Sequence, residues 1–172
     1  QPQPLKLNTH TTMFGPYQSP LILSSDYQQY IADAKNISTS AGLTQDTPII
    51  DLSGHSPGIL YALAAKSIGQ AWTIGGYPGS RKLAIASLHR TSCKQIARAW
   101  ILQEPDGPRS IPTDTLSALG ANFPQDYELR GTWQTPAGAG GLTKRRTQLI
   151  YAPNNLSKTL RNCEAIREQE LQ

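Results

Sequence analysis

Cysteine and histidine are scarce in this chain, two and three among 172 residues. Cys93 and Cys163 belong to no CxxC step and no Cys/His cluster, so the spacing excludes a zinc-organised fold and names no metal ligand. Charged side chains make up only 16%, too few for a solvated coiled coil or a charged disordered tail. Long hydrophobic runs are missing as well. The longest, Thr47 to Leu52 and Gly58 to Ala65, fall far short of the ~20 residues of a membrane-spanning helix. GxGxxG and GxxxxGK[ST] are absent, which removes the usual sequence warrants for dinucleotide and nucleoside triphosphate binding, and no cofactor is expected. Gln1 is not an initiator Met, and no basic segment leads into an apolar one, so the chain reads as a processed or excised piece of a longer protein.

What is present describes a loop-rich globular domain: 38% hydrophobic residues, 14 glycines and 13 prolines. The length fits one domain with a real core. A net charge of +4 and a pI near 9.2 favour acidic partners at long range. The one basic cluster, Lys144-Arg145-Arg146, has no interleaved aromatics and reads as a solvated strand end, so nucleic acid is disfavoured as a partner.

Residues 1–23 read as an extended lead-in or linker with an edge strand near Leu5 to Leu7, and residues 24–172 as a single α/β domain. Ser25 and Asp26 are N-cap types, and Tyr27, Tyr30, Ile31, Ala34 and Ile37 recur at helical spacing, predicting a helix that ends before Gly42. A strand over Thr47 to Ser53 is expected next. Ser56 as N-cap and Pro57 at the first helical position then open a helix to about Lys66. A second strand, Ala71 to Gly75, precedes a helix carrying Leu83, Ala84, Ser87 and Leu88. A third, Ala99 to Leu102, precedes a short helix over Asp114 to Leu119. Tyr127 to Thr135 and Thr147 to Tyr151 predict a hairpin, and Leu156 to Gln172 a docked final helix. Repeated strand-helix units imply a three-layer α/β domain with a mainly parallel sheet, helices on both faces, and a late antiparallel hairpin.

Ligands of open parallel sheets bind beyond the carboxyl ends of the strands. Two glycine-bearing loops fall there, each opening onto a helix start that suits an anion. The candidate binding set is therefore Ser53, Gly54, Ser56 and Gly58 from the first loop, Gly76, Tyr77, Gly79 and Ser80 from the second, and Arg109 beyond the third strand, with Glu104 and Asp106 beside it. A rival reading makes Asp51 and His55 an acid/base pair with Ser56 or Ser53 as nucleophile, in a small hydrolase or transferase. The bland reading makes Asp51 and Ser56 turn and cap residues, with glycines at positive φ; a purely structural assembly module is the third alternative for the chain. Trp72, Trp100 and Trp133 fall in or near predicted strands and read as core residues, while His10 and His89 read as structural. For Cys93 and Cys163 two states stay open, buried thiols or, in an oxidising compartment, a disulfide pinning the C-terminal segment to the middle of the domain.

Thr47-Pro-Ile-Ile-Asp-Leu-Ser-Gly-His-Ser-Pro-Gly58, Gly75-Gly-Tyr-Pro-Gly-Ser80 and Ala99-Trp-Ile-Leu102 with Pro105-Asp-Gly-Pro108 resemble the soluble C-terminal region of certain multi-spanning bacterial inner-membrane proteins. Those parents look like glycosyltransferases that use polyprenyl-phosphate sugars. The resemblance spans about Asp26 to Cys163. It implies an extracytoplasmic accessory or recognition domain on the periplasmic side, joined to the membrane through parent segments outside this chain, with an anionic glycan or lipid-phosphate ligand. It also fits a Cys93–Cys163 bridge, and it carries no catalytic residue across.

Overall fold

The computed structural model describes residues 4–105 and 107–170. Asp106 and the last two residues of the predicted tail helix lie outside them. The fold is mixed α/β. A five-stranded sheet runs in the order β4-β3-β5-β7-β6, with β3 (Pro48–Asp51), β4 (Lys66–Ser67), β5 (Trp100–Gln103), β6 (Tyr127–Gln134) and β7 (Thr147–Pro153). A separate antiparallel pair joins β1 (His10–Phe14) to β2 (Ser19–Leu23). The helices are α1 (Ser25–Ser40), α2 (Pro57–Ala62), α3 (Ser80–His89), α4 (Cys93–Arg98) and α5 (Leu156–Glu170). Among the described residues no helix is long and apolar enough to cross a membrane.

Side chains alternate along a strand, and here consecutive residues go to different apolar clusters. Ile49, Leu102 and Ile150 join Ile31 and Ala34 of α1 and Ile59 and Leu60 of α2. Ile50, Ile101 and the partly buried Tyr151 join Ala84 and Leu88 of α3, Ile96 of α4, and Leu116 and Leu119. Ile49, Ile101, Leu102 and Ile150 are fully buried, each stabilising by roughly 1.5–3 kcal/mol relative to exposure.

Several expectations need correction. The sheet is mixed rather than mainly parallel: β4, β3 and β5 run parallel, but β7 pairs antiparallel with β5 and β6 with β7. The late hairpin is present and adds directly onto β5, so its long ladder outweighs the short parallel pairs. Ala71 to Gly75 is a loop, because Trp72 adopts a left-handed φ of +65° and a strand residue cannot. The edge strand is Lys66–Ser67 instead. The helix from Pro57 stops early, since Ala64 turns left-handed at φ +53°, with Ala64 N–H donating to Tyr61 O and Ala65 N–H to Leu60 O. That is a Schellman ending built on alanine where glycine is usual. Leu5–Leu7 forms a 3₁₀ turn rather than a strand, and the lead-in supplies the β1–β2 hairpin. The segment Asp114 to Leu119 forms two 3₁₀ turns, Thr113–Thr115 and Ser117–Leu119.

Helix α4 had a usable signal, because Ser92 and Gln95 fit the S-x-x-Q capping box and the Ser92 hydroxyl accepts from Gln95 N–H at 3.3 Å. Cys93, opening α4, and Cys163 in α5 form a disulfide with their Cα atoms 5.7 Å apart.

Candidate functional site

The chain leaves β3 toward β4 on one side and leaves β5 toward the other, so the switch in strand order puts a crevice between the loops after Asp51 and after Gln103. That crevice is filled by the protein's own backbone. Ile111 N–H donates to Leu52 O at 2.8 Å and Gly75 N–H to Arg109 O at 2.7 Å. Gly54 has φ +69°, and a Cβ there would lie 1.8 Å from Arg109 O; a Cβ on Gly75 or Gly76 would strike the Ser110 or Pro108 carbonyl. These glycines admit the chain from Pro108 to Ser110 rather than a ligand. The two loops do meet, since Trp72 Nε1 donates to Gly54 O at 3.1 Å, but through Arg109 and Trp72 rather than as ends of neighbouring strands. At this rim Trp72 and Tyr77 are 56% and 53% exposed, and the Arg109 guanidinium lies 4.3 Å above the Tyr77 ring. Trp72 is therefore a surface residue, unlike Trp100 and Trp133, which pack against the α1 and α2 side of the core. Gly79, at φ +84°, precedes Ser80 at the start of α3, and its Cβ position is open.

The first loop has a second side. His55, Ser56 and Gly58 face a cavity of about 230 Å³ whose apolar walls are Phe14, Leu21, Leu23, Tyr27, Ile31 and Ile59, and whose polar end is completed by Thr135 and Arg146. His55 Nε2 is buried with no hydrogen-bond partner among the described residues. Desolvation holds the imidazole below its ordinary pKa, the Arg146 and Arg109 guanidiniums push the same way, and Glu104 opposes them. The loop from β6 to β7 packs on the ring, as a Cβ on Gly140 would sit 3.2 Å from Nδ1.

Beneath the polar end runs a buried network centred on Gln148. Its Oε1 accepts from Tyr30 OH and from Trp133 Nε1, both at 2.8 Å. Its Nε2 donates to Ser56 Oγ at 2.5 Å and to Glu104 Oε2 at 2.9 Å. Glu104 Oε1 accepts from Arg146 Nε at 2.5 Å, so Glu104 and Arg146 neutralise each other. Arg146, read as part of a solvated strand end, is buried for this reason, and Glu104 lies under the cavity rather than on the rim. Burial pushes the Tyr30 phenol well above its ordinary range.

Asp51 turns inward, with Oδ1 accepting from Ser53 N–H at 2.8 Å and Ser53 Oγ at 2.6 Å. Burial raises its pKa, the Ser53 bonds lower it, and Glu104 adds to the rise, leaving it above the usual carboxylate range. Asp51 is thus bonded to Ser53 and Ser56 to Gln148, and no hydrogen bond joins the side chains of Asp51, His55 and Ser56 to one another.

Gly54-His-Ser-Pro-Gly58 also satisfies the G-x-S-x-G pattern of nucleophile elbows, on a strand-turn-helix segment, a signal that the turn-and-cap reading passed over. Ser56 has φ −122°, without the strained backbone of such an elbow, and its Oγ accepts from Gln148 rather than meeting a histidine. Among the described residues no group of three His, Cys, Asp or Glu side chains is placed to hold a metal ion. No protein-family model, curated protein or solved structure matches the chain.

Proposed function

We propose that this chain is a ligand-recognition domain whose ligand is a phosphate bearing an apolar chain. The chain packs among Phe14, Leu21, Leu23, Tyr27, Ile31 and Ile59, and the phosphate meets His55 and Arg146. The observation that carries this is the partnerless, buried Nε2 of His55, a residue that lines an apolar-walled cavity together with Arg146, whose guanidinium uses Nε on Glu104 and Nη1 on Lys144 O and keeps other donors. Pockets of this kind, mostly apolar with a few convergent polar groups and a perturbed pKa, are the default binding site of a fold. The compartment is extracytoplasmic in this reading, supported by the Cys93–Cys163 bridge. The parent is a membrane-bound envelope-glycan protein, supported by the sequence resemblance. Apolar clusters on alternate strand residues support a three-layer stack for the domain.

Hexyl phosphate is the probe. Titrated into the domain, it should shift the His55 ring resonances and the Gly58 amide, raise the His55 pKa, and bind more tightly than inorganic phosphate or hexanol. Gly58→Leu should abolish these shifts without unfolding, because that position is helical with open space around its Cβ and glycine is about 1 kcal/mol worse than alanine in a helix. Absence of any His55 response, or equal binding by Gly58→Leu, refutes the cavity as the site. An acidic oligosaccharide that instead quenches Trp72 would move the ligand to the rim of Trp72, Tyr77 and Arg109.

The G-x-S-x-G run favours a second reading, ester hydrolysis through Ser56. A serine nucleophile needs a base within hydrogen-bond reach, and His55 makes no hydrogen bond to Ser56, so the recognition reading stands first. Labelling by a fluorophosphonate that Ser56→Ala abolishes would reverse that order.

A further inference from the structure

A small antiparallel sheet ordinarily buries one face and wets the other, but the β1–β2 hairpin is apolar on both. The register pairs Thr12 with Leu21, His10 with Leu23 and Phe14 with Ser19, and Phe14, Leu21 and Leu23 of this face line the cavity. Alternation puts the pairs Thr11/Ile22 and Met13/Pro20 on the outer face. There Met13 is 47% and Ile22 62% exposed, and Tyr17 at the turn is 84% exposed. No carboxylate occurs from Pro4 to Ser25, where Lys6 is the one formal charge. At the base of the hairpin Arg145 lies 3.7 Å from Asp26, the second residue of α1, and Lys144 beside it is exposed.

We propose that this hairpin docks on an anionic lipid surface, with Met13, Pro20, Ile22 and the Tyr17 tip in the headgroup region and Lys6, Lys144 and Arg145 against the lipid phosphates. An acid-free apolar face with a tyrosine at its tip is the composition that interfacial binding selects, and Lys6 in the same segment and Arg145 at its base, partly offset by Asp26, supply positive charge. Charge separates a lipid surface from a second copy of the chain, because a net +4 protein repels itself and is drawn to anionic lipid. Pro20 also removes a ladder donor that pairing between copies would use. The inference does not depend on the cavity's ligand: vesicle binding survives Gly58→Leu, and hexyl phosphate binding survives loss of the hairpin's outer side chains.

The test is sedimentation of the 172-residue chain with phosphatidylcholine vesicles, with and without phosphatidylglycerol. Binding is expected only with phosphatidylglycerol present, about tenfold or more tighter than without it, and weakened by salt. Tyr17→Asp with Ile22→Asp should lower binding at least about tenfold, while Leu83→Asp, at an exposed apolar position on α3, leaves it unchanged. Circular dichroism confirms that both variants are folded. No binding to anionic vesicles, equal loss from Leu83→Asp, or a dimer that Ile22→Asp dissolves would each overturn the proposal.

Discussion

Gln148→Leu removes the centre of the buried network while nearly keeping its volume. The amide is fully buried and meets four partners: Tyr30 OH, Trp133 Nε1, Ser56 Oγ and Glu104 Oε2. Leucine leaves two donors without an acceptor and takes a donor from a hydroxyl and a buried carboxylate. An orphaned buried polar group costs ~1–3 kcal/mol, so even the low end over four partners gives about 4 kcal/mol. With a urea m-value of about 2 kcal/mol per M, that lowers the unfolding midpoint by roughly 2 M. Tryptophan fluorescence follows the transition, since Trp133 reports on the same bond. A change under ~1 kcal/mol would show that the network relaxes around the loss and refute the four-way satisfaction of the Gln148 amide.

Gln148→Glu sharpens the test. Two carboxyl groups would then face each other across the 2.9 Å contact with Glu104, and like charge in a buried site raises the folded-state pKa of the new acid above its unfolded value of about 4.3. A raised acid pKa contributes stability that is present below pH ~4.3 and lost as pH rises through the folded value. The variant should therefore resemble the parent near pH 4 and fall progressively below it toward neutrality.

Reducing the Cys93–Cys163 bridge, which spans 70 residues of sequence, should destabilise by about 4 kcal/mol by loop-closure entropy, read as a lower urea midpoint in dithiothreitol that Cys93→Ser/Cys163→Ser reproduces. Ala64→Gly should raise stability by about 1 kcal/mol, because alanine at φ +53° bears a left-handed strain of ~1–2 kcal/mol that glycine avoids; thermal unfolding checks the sign.

Local chemistry made much of this fold legible. The helical spacing of Tyr30, Ile31, Ala34 and Ile37 and the Pro57 start follow from periodicity and from proline's missing donor; α2 begins where expected, while α1 begins earlier, with Ser24 at the N-cap and the expected caps Ser25 and Asp26 inside the helix. Errors arose where a residue adopts a conformation that its type disfavours. Ala64 and Trp72 turn left-handed without being glycine, so a helix ends and a strand fails to form with no sequence cue. The polar network was illegible for a different reason. Tyr30, Ser56, Glu104, Trp133, Arg146 and Gln148 come from α1, the loops after β3 and β5, and the β6–β7 hairpin, and no spacing announces a set brought together only by tertiary packing. Of the glycines in the two loops, Gly54, Gly75 and Gly76 are close-approach positions, and what approaches them is the backbone from Pro108 to Ser110, whereas Gly58 and Gly79 have open space at their Cβ positions.

Locking the first loop from both sides has a consequence for His55. Gly54 is fixed against Arg109 and Trp72, and Ser56 against Gln148, so the backbone that carries the imidazole is held in place, and Nε2 stays buried without a hydrogen-bond partner. A buried polar atom left unpaired destabilises the free protein and is the kind of exception that binding sites retain. His55→Phe should then stabilise the domain by about 1–2 kcal/mol while abolishing the response to hexyl phosphate. The pH profile gives an independent reading. Because the folded-state pKa of His55 is lowered, the parent keeps full stability above its unfolded pKa of about 6.5 and loses it as pH falls through the folded value. His55→Phe should flatten that decline. A variant that is less stable than the parent at neutral pH, with the same acid-side loss, would mean that the imidazole is an ordinary packing residue, and the cavity would lose its claim to a polar ligand.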